Sequence, residues 1–131
     1  MVSELILVVD DGVSNRRLYE RLLVREGYLV DTATDAQDAL IKLQTIRPHL
    51  MLIDVHLGGM NGLELTEQIR ADPTLRSIPV IAMTAHHDEY NERLAHEAGA
   101  DAFIILPIDI TTFVPKIRCV LSAGHNFQVS E

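Results

Sequence analysis

Tryptophan is absent from this chain, and cysteine occurs once. A single Cys119 excludes an internal disulfide and a CxxC metal site. Set among Ile117, Val120 and Leu121, it reads as a buried structural thiol. Basic residues are scarce: 11 Lys and Arg stand against 19 Asp and Glu, a formal charge of -8. Nucleic-acid phosphates are bound by clustered Lys and Arg, so no nucleic-acid partner is expected. No apolar run approaches the roughly 20 residues that span a bilayer, so no membrane partner is expected either. The run from Leu5 to Val9 is too short for a signal-peptide core and lacks a basic flank, which makes the expected compartment cytoplasmic. At 131 residues there is room for one domain, large enough to bury a core without staples.

What the chain does have is a series of short, branched, wholly apolar runs. Leu5-Ile6-Leu7-Val8-Val9 ends in Asp10-Asp11, Leu50-Met51-Leu52-Ile53 ends in Asp54, and Val80-Ile81-Ala82-Met83 ends in Thr84. Such runs read as strands covered on both faces, the mark of a parallel sheet. Helical patterns alternate with them. The first runs from about Ser14 to Glu26 with Leu18 and Leu22 on its inner face, and Gly27 stops it. Tyr28 to Ala33 is more polar and reads as an edge strand. Asp35 caps a helix whose buried stripe is Ala36, Ala39, Leu40 and Leu43. A glycine-rich loop, Leu57 to Gly62, precedes a helix from about Leu63 to Ala71, and Asp88 caps another that Gly99 ends. Ala102 to Leu106 is the fifth strand. The last helix carries Phe113, Ile117, Val120 and Leu121 inward, and Pro115 is expected to kink it or delay its start. Residues 1–124 form the domain, and residues 125–131 read as a polar tail that frays. The fold class is α/β, a three-layer doubly wound (βα)5 sandwich with right-handed crossovers.

In such sheets function collects where the strands stop. Carboxylates gathered there repel by roughly 4 kcal/mol per pair at about 4 Å and an intermediate dielectric. Either one takes a proton or a cation sits between them, and oxygen-only ligands suit Mg2+. The ion would draw a phosphoryl oxygen toward a carboxylate, which can act as nucleophile and become an acyl phosphate. Thr84 could donate a hydrogen bond to the added group.

With these motifs in order, the chain resembles the receiver domains of two-component response regulators, the CheY-like proteins. The resemblance runs from Leu5 to about Leu121. It rests on Ile6-Leu7-Val8-Val9-Asp10-Asp11, Leu52-Ile53-Asp54-Val55-His56-Leu57, Met60-Asn61-Gly62-Leu63-Glu64, Pro79-Val80-Ile81-Ala82-Met83-Thr84-Ala85 and Ala98-Gly99-Ala100-Asp101-Ala102-Phe103. It implies a flavodoxin-like five-stranded parallel sheet of order 2-1-3-4-5. It implies that Asp54 accepts phosphate from a histidine kinase or a histidine phosphotransfer protein. Asp11 would ligate Mg2+ directly, Asp10 through water, and the backbone carbonyl of His56 would be a third ligand. Thr84 would swing to the phosphoryl group while Phe103 rotates inward. A downstream protein would then bind the face formed by the fourth helix, fifth strand and fifth helix. Acting as a stand-alone domain, the chain would signal by protein contact or onward phosphotransfer, as a monomer or a homodimer.

Two departures stand out. The family places a Lys immediately before the proline after the fifth strand, and here that position is Leu106, ahead of Pro107. The lost charge-assisted hydrogen bond is worth about 1.5–3 kcal/mol, roughly one to two orders of magnitude in the phosphorylated conformation's population. That motivates an alternative, a pseudo-receiver docking module whose switching is weakened or independent of phosphate. The second departure is Gly58, where the family usually has proline, so the loop with Gly59 is expected to be looser. Pro107 is kept, and the resemblance implies a cis bond before it.

Blander readings exist for each residue. Any one of the acids alone would be a solvated strand-end charge or a helix cap, and Phe103 alone would be simple packing. Of six histidines, His56 and His86 fall two residues beyond Asp54 and Thr84. No histidine pair is spaced on a helix face as metal ligands, so the sequence favours control of water access over a transition-metal site. A metal-dependent phosphatase or nucleotide-binding enzyme ranks last. The chain has no P-loop, no Gly-x-Gly-x-x-Gly turn and no Asp-x-Asp pair.

Overall fold

The structure is a computed structural model that describes residues 3–86 and 88–123. The expected polar tail, residues 125–131, lies outside the described residues, as do His87 and His125. Five strands alternate with five helices: β1 (Leu5–Val9), α1 (Val13–Arg25), β2 (Leu29–Ala33), α2 (Ala36–Lys42), β3 (Leu50–Asp54), α3 (Gly62–Ala71), β4 (Val80–Thr84), α4 (Glu89–Ala98), β5 (Ala102–Ile105) and α5 (Ile110–Ala123). All pairings are parallel, and the order is β2-β1-β3-β4-β5. The order follows from the chain's direction of travel. From β1 it moves outward to β2, then returns past β1 to β3 and proceeds the other way. The reversal opens a crevice beyond the carboxyl ends of β1 and β3.

Strand alternation divides the core in two. Ile6, Val8, Leu50, Leu52, Ile81, Met83 and Ile104 face α1 and α5. Leu7, Val9, Met51, Ile53, Val80, Ala82 and Phe103 face α2, α3 and α4. Each fully buried Leu, Ile or Val contributes about 1.5–3 kcal/mol. The two covered faces therefore hold β1, β3 and β4 firmly, and the site depends on their ends. β2 is the exposed edge, with Leu29 at 57% exposure.

Sequence signals place most helix ends. Asp35 and Asp88 accept backbone N–H groups at the starts of α2 and α4. Asn61 and Glu64 form a reciprocal cap on α3. Gly99 ends α4 at φ 108°, a left-handed conformation that favours glycine. A side chain there would also collide with Arg70. The Arg70 guanidinium donates to Gly99 O, Arg76 O, Ile78 O and the Asp101 carboxylate, the last at 2.8 Å. Asp101 also accepts the Val80 N–H. This buried pair ties α3 to the starts of β4 and β5.

Three expectations need correction. Cys119 is exposed, because α5 buries Phe113, Ile117 and Val120, and a helix turns position 119 away from that stripe. The inner face of α1 is Tyr19 and Leu23, with the Tyr19 ring 5.6 Å from that of Phe113. Leu18 is 39% exposed, and Leu22 is only partly buried at the edge of the stripe. Of the two effects expected of Pro115, the delayed start is the one overturned, since α5 begins at Ile110 and takes Pro115 inside it.

Candidate functional site

Asp10 follows the last residue of β1, Asp54 is the last residue of β3, and Thr84 is the last of β4. Register pairs Val9 with Ile53 and Asp54 with Met83, so these groups share one end of the sheet. Carboxylate oxygens of Asp10, Asp11 and Asp54 all lie within 4.8 Å of one another. Asp10 is fully buried, Asp54 is 9% exposed, and Asp11 faces solvent.

The surrounding backbone supplies few donors. Asp10 Oδ1 accepts the Gly12 N–H at 2.8 Å, and Asp54 Oδ1 accepts the His56 N–H at 2.9 Å. Among the described residues Asp10 Oδ2 is buried with no donor while Asp54 is ionised. When Asp54 carries a proton it can donate that proton to Asp10. Burial pushes the Asp54 carboxyl up to about 6, helped by the charges of Asp10 and Asp11 and opposed by the His56 N–H. Burial likewise raises Asp10, against the pull of its bonds to Gly12 and the Asn15 side chain. Behind the pocket, burial and the Asp10 and Asp54 charges push the Tyr19 phenol up to about 12. The pocket is thus short of positive charge, and a proton or a cation would relieve it. A buried acceptor without a donor, beside two further carboxylates, fits a hard oxygen-seeking ion such as Mg2+.

Thr84 is 1% exposed, and its hydroxyl oxygen accepts the His86 N–H at 3.0 Å. Leu106 stands next to it, since its N–H donates to Thr84 O at 2.7 Å. The Leu106 side chain packs against the α1–α5 core, and the bond to Pro107 is cis. Phe103 is packed inward on the opposite face of the sheet at 9% exposure, and the Lys116 ammonium caps its carbonyl at 2.9 Å. The loop after β3 is pinned where α3 begins. Gly62 N–H donates to Val55 O, and a Cβ on Gly62 would run into the Asp54 carbonyl oxygen.

The acids and Thr84 lie where the sequence places them. Two residues were not anticipated. The Asn15 side chain helps hold the Asp10 charge, and the Arg16 guanidinium donates to the Asp10 carbonyl at 2.8 Å. Both belong to the first turn of α1, directly after the acid pair. That position was the available signal, because a helix leaving a strand end must pass its first turn over the site.

Comparison with known proteins agrees with this geometry. Residues 6–118 match the model of the response regulator receiver domain. The response regulator ArlR of Staphylococcus aureus (strain Mu50 / ATCC 700699) is 37% identical over 116 residues, 88% of this chain and 52% of that protein. The chain thus spans about half the length of the curated relatives it matches. A CheY-like receiver domain protein from Methanospirillum hungatei JF-1 superposes with a TM-score of 0.85 at 30% identity, over 92% of this chain and 95% of that one. Chemotaxis response regulator CheY4 of Vibrio cholerae gives 0.86 at 26% identity, over 91% and 99%. With the family model spanning the strands, the acid pocket and α5 up to Arg118, this chain belongs to the response regulator receiver domain family.

Proposed function

We propose that this receiver domain is a phosphoacceptor, with Asp54 as the nucleophile in a Mg2+-dependent transfer from a histidine kinase or histidine phosphotransfer protein. The observation that carries the reading is the buried, donorless Asp10 Oδ2 within the cluster of three carboxylates. Asp10, Asp11, Asp54 and the His56 carbonyl would hold Mg2+, which supplies charge neutralisation for the incoming phosphoryl oxygens. Asp54 attacks phosphorus as the donor's bond breaks, and the product is an acyl phosphate. Thr84 then offers its hydroxyl to a phosphoryl oxygen, and Phe103, already inward, fills the space behind. The chain assists its own phosphorylation in this way and is not a turnover enzyme on a free substrate. The α4–β5–α5 face would carry the message to a protein target in the cytoplasm.

One observation favours a second reading. Leu106 sits beside Thr84 and presents no cation to the phosphoryl group, so a docking module with weakened switching is the alternative. Beryllofluoride with Mg2+, a phosphoryl mimic, separates the two. The phosphoacceptor reading predicts Mg2+-dependent NMR shifts at Thr84, Phe103 and α5, enlarged in Leu106→Lys. No response in either form overturns that reading. A response confined to Leu106→Lys supports the docking module.

A further inference from the structure

His56 and His86 lie on different loops, after β3 and after β4, and their rings meet in edge-to-face contact. The ring centroids are 4.9 Å apart and the planes are inclined at 83°. Two imidazoles on one tetrahedral Zn2+, each at a metal–nitrogen length of about 2.0–2.1 Å, hold their centroids about 5 Å apart. The observed separation of the two rings falls at that distance. The pair is anchored. The His56 N–H is held by Asp54 Oδ1 and the His86 N–H by Thr84 Oγ1, so backbone bonds fix both residues at the rim of the acidic pocket.

We propose that His56 and His86 form a second cation site, for a transition ion of the Zn2+ class, at the mouth of the aspartate pocket. Imidazole nitrogen selects Zn2+, Ni2+ or Cu2+, whereas the all-oxygen cluster beneath selects Mg2+. Among the described residues the three aspartates are the one group of three ligating side chains within 4.8 Å, so the histidine pair supplies two ligands and water completes the shell. An ion held there stands in front of Asp54 and Thr84 and closes the approach of a phosphodonor. That closing effect rests on the phosphoacceptor reading; the binding does not. From the sequence these two histidines, 30 positions apart, favour control of water access over a metal site; their ring contact arises only through the pairing of β3 with β4.

Calorimetric titration of the full chain with Zn2+ in millimolar Mg2+ tests it. Losing an outer partner of a metal ligand already costs about 10–100-fold in affinity, so His56→Gln and His86→Gln are each expected to cost at least tenfold. Both side chains are exposed, and each backbone bond survives the change. A tetrahedral Co2+ absorption in the wild-type chain, lost in both variants, supports the site. Unchanged Zn2+ affinity in both variants overturns it and leaves a ring contact only. Acetyl phosphate labelling supplies the second arm. Zn2+ should block labelling of the wild type and spare His86→Gln, which leaves the Mg2+ ligands untouched. Zn2+ binding without inhibition overturns the closing effect. Absence of labelling even without Zn2+ overturns the phosphoacceptor reading, and the closing effect with it, while the calorimetry still decides the site.

Discussion

Replacing Asp54 by asparagine should stabilise the metal-free protein at neutral pH. Asp54 is 9% exposed and its carboxyl is pushed up to about 6, against an ordinary value of 3.8. Between those values the folded chain holds a proton that the unfolded chain has released. Stability is therefore present at low pH and is lost as pH rises through the folded value. At 1.36 kcal/mol per pH unit the loss is about 3 kcal/mol. In the variant the side-chain carbonyl keeps the His56 N–H bond, and the new amide can donate to the lone oxygen of Asp10. In a domain of this size about 3 kcal/mol corresponds to a rise in Tm of roughly 10 °C. Thermal unfolding in a chelator should show that gain at about pH 7.5 and almost none at about pH 4. Saturating Mg2+ should raise the wild type toward the variant. A variant no more stable than wild type at neutral pH, or equally favoured at both pH values, would refute the electrostatic account of the pocket.

Arg70→Ala leaves the buried Asp101 charge without its guanidinium, at 2.8 Å in the native pair, and should cost about 3–5 kcal/mol by urea unfolding. Gly62→Ala drives a Cβ into the Asp54 carbonyl, so it should cost about 1–3 kcal/mol and shift the Asp54 and His56 amide resonances. Asn61→Ala removes the reciprocal cap on α3 and should cost about 1 kcal/mol, with α3 amides exchanging faster.

Much of this was legible in the chain because the relevant signals are local. An apolar run ending in Asp54 identifies both a central strand and what stands at its end. Asp35, Asp88 and Gly99 mark helix ends through chemistry within one turn. Strand order is not local, and it came from resemblance. Helix phase was the weak point. On α1 the leucines at 18 and 22 suggested one face, yet the ring of Tyr19 reaches Phe113 and turns the helix so that Tyr19 and Leu23 point inward. On α5 the apolar neighbours of Cys119 suggested burial, but Ile117 and Val120 share a stripe that excludes position 119. In the site itself the acids were visible as strand ends. Asn15 and Arg16 were not, because their role depends on where the first turn of α1 hangs over β1. The contact of His56 with His86 likewise exists only after two strands have paired.

Intact-mass analysis after incubation with acetyl phosphate tests the central claim most directly. The account predicts one added phosphoryl group on the wild-type chain, present with Mg2+, absent with chelator, and absent from Asp54→Asn. An adduct that forms without Mg2+, or that persists on Asp54→Asn, would contradict it.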